Sequence, residues 1–139
     1  MIPSISGVLE TALYVEDLDR SERFYSELFE IRKILGDDRI RALRLPGQQV
    51  LLLFRKGAST QNTETEYGVI PSHDGDGHLH LAFRIEKEQE AAWRQRLVGF
   101  GIPLESGIHP RDGVSLYFRD PDGHCIELAS PEVWPDHGA

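Results

Sequence analysis

Apolar and polar residues alternate through positions 8–15. Val8, Glu10, Ala12 and Tyr14 share one face, and Leu9, Thr11, Leu13 and Val15 share the other. That period of two predicts a strand. The spacing then changes. Phe24, Tyr25, Leu28 and Phe29 recur as the core-facing stripe of a helix. Asp19, with Glu22 three residues later, resembles a capping box and sets the expected helix start. Gly36-Asp37-Asp38 marks a turn, residues 39–45 alternate, Pro46-Gly47 breaks the run, and 49–55 is a strongly apolar strand. With 31–35 as the weakest strand, the first half reads strand, helix, three strands.

Residues 56–77 change character. They are rich in Thr, Glu, Asn, Gly and Asp and lack apolar periodicity, which predicts a linker or long loop, of the kind that often serves as a lid. The second half then repeats the first. Leu79, Leu81, Phe83 and Ile85 alternate with His78, His80, Ala82 and Arg84. A helix is expected over 86–99, with Trp93 and Leu97 one turn apart and Gly99 and Gly101 at its stop. Strands follow at 102–108, 113–119 and 124–129, the last two joined by the Asp120-Pro121-Asp122-Gly123 turn.

The two halves align. Glu10-Thr-Ala-Leu-Tyr-Val-Glu16 matches His80-Leu-Ala-Phe-Arg-Ile-Glu86 at a constant offset of 70 positions. This is an internal duplication. The expected organisation is one domain over 1–139, with module one at 8–55, a linker at 56–76, module two at 77–130 and an irregular tail at 131–139. Each half alone has too few elements to cover its sheet.

Composition narrows the function classes. The chain has 139 residues with 15 Lys plus Arg against 23 Asp plus Glu, a net charge of −8. An acidic chain without a basic run is a poor partner for nucleic acid or an anionic membrane surface. No apolar run approaches the roughly 18 residues of a membrane span. The opening Met1-Ile2-Pro3-Ser4 lacks the basic and apolar segments of a secretory signal. Cys125 is the single cysteine, so no internal disulfide forms and a cytoplasmic setting is expected.

Three residues stand out as candidate metal ligands. Glu10 interrupts an otherwise apolar or small-residue strand, where a carboxylate is costly unless paired or bound to a cation. His80 occupies the equivalent place in the second half. Glu127 alternates with Ile126 and Leu128 in the last strand and shares a face with Cys125 and Ala129. One imidazole and two carboxylates suit a divalent metal and leave coordination positions for water or substrate. His78 shares a face with His80, but the offset of 70 selects His80. His124 reads as a turn residue pointing away from Glu127, and His73, His109 and His137 as solvated loop residues. Cys125 reads as a small core or cavity-lining residue. Tyr14 and Arg84, four residues beyond Glu10 and His80 on their expected faces, and Ser115 and Tyr117, which alternate on one face of a neighbouring strand, are candidate substrate contacts. No side chain is identified as a general base.

Glu10 followed by Thr-Ala-Leu-Tyr-Val-Glu-Asp-Leu-Asp-Arg-Ser-Glu-Arg-Phe-Tyr, His80-Leu-Ala-Phe, and Tyr117-Phe-Arg-Asp-Pro-Asp-Gly-His-Cys-Ile-Glu127-Leu together resemble the vicinal-oxygen-chelate superfamily. Its members include glyoxalase I, bleomycin-resistance proteins, fosfomycin-resistance enzymes and extradiol dioxygenases. The resemblance covers residues 8–131 and implies an α+β fold of two tandem βαβββ modules whose curved mixed sheets form a glyoxalase-like cup. It implies a divalent metal (Fe, Mn, Ni, Co or Zn) on Glu10, His80 and Glu127. It further implies a small-molecule substrate chelated through adjacent oxygens in dioxygenase, lyase or isomerase chemistry, and a homodimer. Glyoxalase I carries a further Glu ligand in the last strand of the first module. Here that strand reads Val50-Leu51-Leu52-Leu53-Phe54, and either Leu52 or Leu53 fills the place. The competing expectation is a metal-free drug-binding protein of the bleomycin-resistance kind.

Overall fold

The computed structural model describes residues 1–136 and divides into two compact units at the Asp76–Gly77 junction. In the first unit the order is β1 (Glu10–Val15), α1 (Leu18–Phe29), β2 (Lys33–Gly36), β3 (Ile40–Leu45) and β4 (Gln49–Arg55), followed by a short ribbon of β5 (Thr63–Thr65) and β6 (Gly68–Ile70). The second unit holds β7 (His80–Arg84), α2 (Glu90–Gly99), β8 (Ser106–Ile108), β9 (Ser115–Arg119) and β10 (Cys125–Ala129). The sheet orders are β1-β4-β3-β2 and β7-β10-β9-β8. Each first strand pairs in parallel with the last strand of its own sheet, and the other neighbours are antiparallel. The duplication read from the sequence is therefore a duplication of topology, and the fold class is α+β as expected.

Strand alternation builds both cores. One face of the first sheet presents Leu13, Val15, Leu43, Leu51 and Leu53, all buried, and α1 adds Leu18, Tyr25 and Leu28. In the second unit Leu116, Phe118, Ile126 and Leu128 are buried together with Leu97 of α2. Burying a side chain of this size is worth roughly 1.5–3 kcal/mol. The opposite face of each sheet carries Glu10, Ala12 and Tyr14, or His80, Ala82 and Arg84.

Several boundaries differ from the sequence reading. β1 starts only at Glu10, and Val8 and Leu9 before it are exposed. Asp17, not Asp19, caps α1: its side chain accepts the Arg20 N–H, while Asp19 pairs with Arg41 at 2.9 Å. The expected helix over 86–99 is a 3-10 turn, Lys87–Gln89, leading into α2. The strand expected over 102–108 is confined to Ser106–Ile108. Residues 56–76 are not featureless. Thr65 accepts the Tyr67 N–H and donates to the Gly68 carbonyl, and this turn joins β5 to β6. His137 lies outside the described residues.

Candidate functional site

In the second unit the site is set by register. His80 stands opposite Cys125 and Ala82 opposite Glu127 across the parallel β7–β10 pair. Tyr117 and Ser115 come from β9, opposite Glu127 and Ala129. The tight turn before β10 is held by Asp120, whose carboxylate accepts the N–H groups of Asp122 and His124. Gly123 takes φ +83° there, and a Cβ on it would meet the His78 ring at 2.8 Å.

His80 Nδ1 lies 2.9 Å from the Cys125 carbonyl. A carbonyl only accepts, so Nδ1 carries the proton and the Nε2 lone pair is left for the site. Nε2 faces Glu127 Oε1 at 3.2 Å. The other oxygen, Oε2, accepts a 2.6 Å hydrogen bond from the Ser115 hydroxyl. Glu127 is only 9% exposed. An imidazole lone pair and a carboxylate oxygen at this separation require a proton or a cation between them. Metal–nitrogen and metal–oxygen bonds of about 2.0–2.2 Å place two ligands on one ion roughly 3 Å apart, so the pair fits a divalent cation. No third Asp, Glu, His or Cys joins it among the described residues of this unit.

The remaining candidates fall around this pair. The Tyr117 ring stacks near His80, with centroids 6.4 Å apart. Burial, reinforced by the Glu127 charge, pushes its phenol above the ordinary tyrosine range. Tyr117 therefore stays a hydrogen-bond donor at neutral pH. Arg84 stands level with Ala129, in a shallow cleft of about 280 Å³ that Trp134 also lines. Cys125 is half-buried, and its carbonyl, not its thiol, serves the site.

In the first unit Glu10 begins β1 and lines a cavity of about 710 Å³ over the open face of the sheet. Tyr14 lines it too, donating to His73 Nδ1 at 2.7 Å or accepting from it, according to the tautomer. Burial, with the Asp74 charge adding to it, raises the Tyr14 phenol as well. The register settles the Leu52 and Leu53 alternative. Leu52 stands opposite Ala12 and lines the cavity, as Glu127 stands opposite Ala82, whereas Leu53 is buried under α1. Leucine thus occupies the place that corresponds to Glu127.

Histidine assignments change most. His73, expected in solvent, is half-buried against Phe54, with ring centroids 4.5 Å apart. His124 does not merely sit in a turn: it is fully buried, and its Nδ1 accepts the Leu79 N–H. His109 is exposed as expected, and its hydrogen bond to Glu90 holds that carboxyl below its usual range. Nothing in the local sequence marks His73, because its place depends on residues 56–76 folding back over the sheet. Gly75 offers the one hint: a Cβ there would lie 2.4 Å from the Tyr14 ring.

Comparison with known proteins places the chain among relatives of the same fold. The chain is 28% identical over 132 residues to the metallothiol transferase FosB of Bacillus licheniformis, covering 94% of this chain and 79% of that one. It is 31% identical over 127 residues to the lactoylglutathione lyase of Escherichia coli O157:H7, covering 87% and 90%. The crystal structure of lactoylglutathione lyase from Agrobacterium tumefaciens superposes with a TM-score of 0.86 at 31% identity, covering 96% of this chain and 99% of that one. The family model matches residues 7–128, and the chain belongs to the Glyoxalase/Bleomycin resistance protein/Dioxygenase superfamily.

Proposed function

We propose that the chain is a metal-dependent enzyme acting on a small organic substrate through adjacent oxygens, in a dioxygenase, lyase or isomerase reaction. The observation that carries this reading is the 3.2 Å approach of His80 Nε2 to Glu127 Oε1, with the far side of each group already fastened by Cys125 and Ser115. Such outer hydrogen bonds orient metal ligands. His80 and Glu127 are two of the ligands. Glu10 is assigned as the third from its place in the repeat, where it matches His80. A bound Fe, Mn, Ni, Co or Zn ion would supply Lewis-acid stabilisation of negative charge developing on substrate oxygens.

The chain's own residues do the rest. Ser115 holds the Glu127 carboxylate in one orientation. Tyr117, kept protonated, offers a donor beside it to a substrate oxygen. Tyr14 and Arg84 extend the contact surface on their strands. The leucine at position 52 leaves a coordination set without a further carboxylate, so more positions stay open to substrate. The relatives are named as a transferase, a dioxygenase and a lyase, and the reaction is one of the superfamily's small-molecule conversions. A cytoplasmic homodimer completes the reading. Each sheet ends in an outer strand that gains from cover.

A second reading is favoured by one feature, the Tyr14, Phe54 and His73 rings that line the first unit's cavity. A sequestering protein would use such a lining without a metal. Elemental analysis separates the two. Protein purified without added metal is expected to hold about one divalent ion per chain, lost in Glu127→Ala. Metal content equal in wild type and variant sinks the enzyme reading.

A further inference from the structure

Arg39 is the cationic side chain in the lining of the first unit's cavity. It follows the Gly36–Asp38 turn and leads into β3, and it is half-buried. Its Nη1 donates to Thr63 Oγ1 at 3.0 Å and approaches the Ala58 carbonyl at 3.5 Å. Both acceptors are neutral and both belong to the folded-back segment after β4. The N–H groups on Nε and Nη2 have no protein acceptor among the described residues. Two acids, Asp37 and Asp38, precede it in the chain; Asp37, which also lines the cavity, has its Oδ1 committed to the N–H groups of Arg39 and Ile40. A guanidinium is always charged and presents a planar fork that matches a carboxylate. Here half of that fork is anchored and the other half is unspent.

The rest of the wall is mixed: Glu10, Asp37, Ser59, Gln61 and Thr63 give it polar and acidic points, and an apolar floor and roof lie between them. Ala12, Leu52 and Phe54 from the sheet and Ile70 and Pro71 from the covering segment surround the cavity. Its volume of about 710 Å³ is in the range of pockets that hold small organic ligands. Phe54 presents a ring held between Tyr14 and His73, at 5.8 Å and 4.5 Å between centroids. A flat apolar body can lie on such a ring.

We infer that this cavity takes an apolar, aromatic body bearing a carboxylate, with Arg39 gripping the acid and Phe54 carrying the ring. Arg39 is thus the residue that selects acids over neutral ligands of the same shape. Only the identification of this occupant as the substrate rests on the enzyme reading above. Glu10 and Asp37, in the same wall, work against an anion, so a cation bound at Glu10 strengthens acid binding.

The test uses 2-naphthoate and its neutral isostere 2-naphthamide, measured by calorimetry on the full chain, both metal-stripped and metal-loaded. Wild type should bind the acid at least tenfold more tightly than the amide. Arg39→Met should remove that preference while leaving amide affinity within about twofold. Arg39→Lys, which keeps the charge but loses the fork, should retain part of it. Phe54→Leu should weaken both ligands together. Equal affinity for acid and amide in wild type overturns the inference. So does a preference that survives Arg39→Met, or the absence of binding by either ligand at millimolar concentration. Metal content that does not depend on Glu127, beside an intact acid preference, would overturn the enzyme reading alone. Metal that depends on Glu127, without an acid preference, would overturn only this inference.

Discussion

At the scale of single residues, the site turns on which atoms are already spoken for. The Cys125 carbonyl takes the His80 Nδ1 proton, and the Ser115 hydroxyl takes one Glu127 oxygen. Ser115 is itself 1% exposed, so water does not replace it freely. Ser115→Ala should therefore leave the fold intact but lower metal affinity by about 10- to 100-fold, the usual effect of losing a partner behind a ligand. A competition titration with a chromogenic chelator checks this. Unchanged affinity would mean that Glu127 needs no such support and does not act as a ligand in the orientation described. Sequence alternation already put Ser115 and Tyr117 on one face of their strand, and Glu127 with Cys125 and Ala129 on one face of the next, because a strand has a fixed period of two. It could not show that the serine hydroxyl reaches the carboxylate, since that depends on rotamers and on the β9–β10 register.

At the scale of elements, α1 shows where a local pattern misleads. Asp19 and Glu22 have the spacing of a capping box, yet the chain enters the helix at Asp17, whose backbone is extended at φ −130° and ψ 105°. Asp19 and Glu22 are drawn instead to Arg41 on β3, a tertiary contact no local rule contains. The two aspartates should therefore differ on mutation. Asp17→Ala should cost about 1 kcal/mol through the lost cap. Asp19→Ala should cost less than about 0.5 kcal/mol, because an exposed ion pair is worth little. Urea midpoints of the two variants decide it, and a larger loss at Asp19 would refute the assignment. The strands were legible because burial on one face forces alternation, and the strongly apolar run at 49–55 proves to be an inner strand, β4. Residues 56–76 were not legible. Their ribbon and its roof over the first sheet rest on side chain–backbone bonds such as Asn62 to Ser72 and on the Arg39–Thr63 contact. His73 was lost with them, and so was the cavity that Arg39 and Phe54 line.

At the scale of the molecule, the chain repeats one topology with different residues in corresponding places. Glutamate and histidine occupy the start of β1 and β7, and leucine and glutamate the matching points of β4 and β10. The duplication supplies a scaffold twice, and on the proposed reading these differences in side chain decide where a cation would sit. An overall charge of −8 attracts cations generally, so the specific site must be told apart from that background. Thermal unfolding does this. A ligand that binds only the native chain at 100 times its dissociation constant stabilises it by about 2.7 kcal/mol. For a chain of 139 residues that corresponds to a rise of roughly 9 °C in the unfolding midpoint. Ni²⁺ and Zn²⁺, whose chemistry accepts an imidazole ligand, should each be assayed for this rise, and at least one should give it. Mg²⁺ at the same concentration should shift the midpoint far less, because it prefers oxygen ligands and retains its water. Glu127→Ala should abolish the specific rise while leaving the weak Mg²⁺ response. If Mg²⁺ matches the best transition metal, or if Glu127→Ala keeps the full shift, the stabilisation comes from diffuse charge and not from the His80–Glu127 pair.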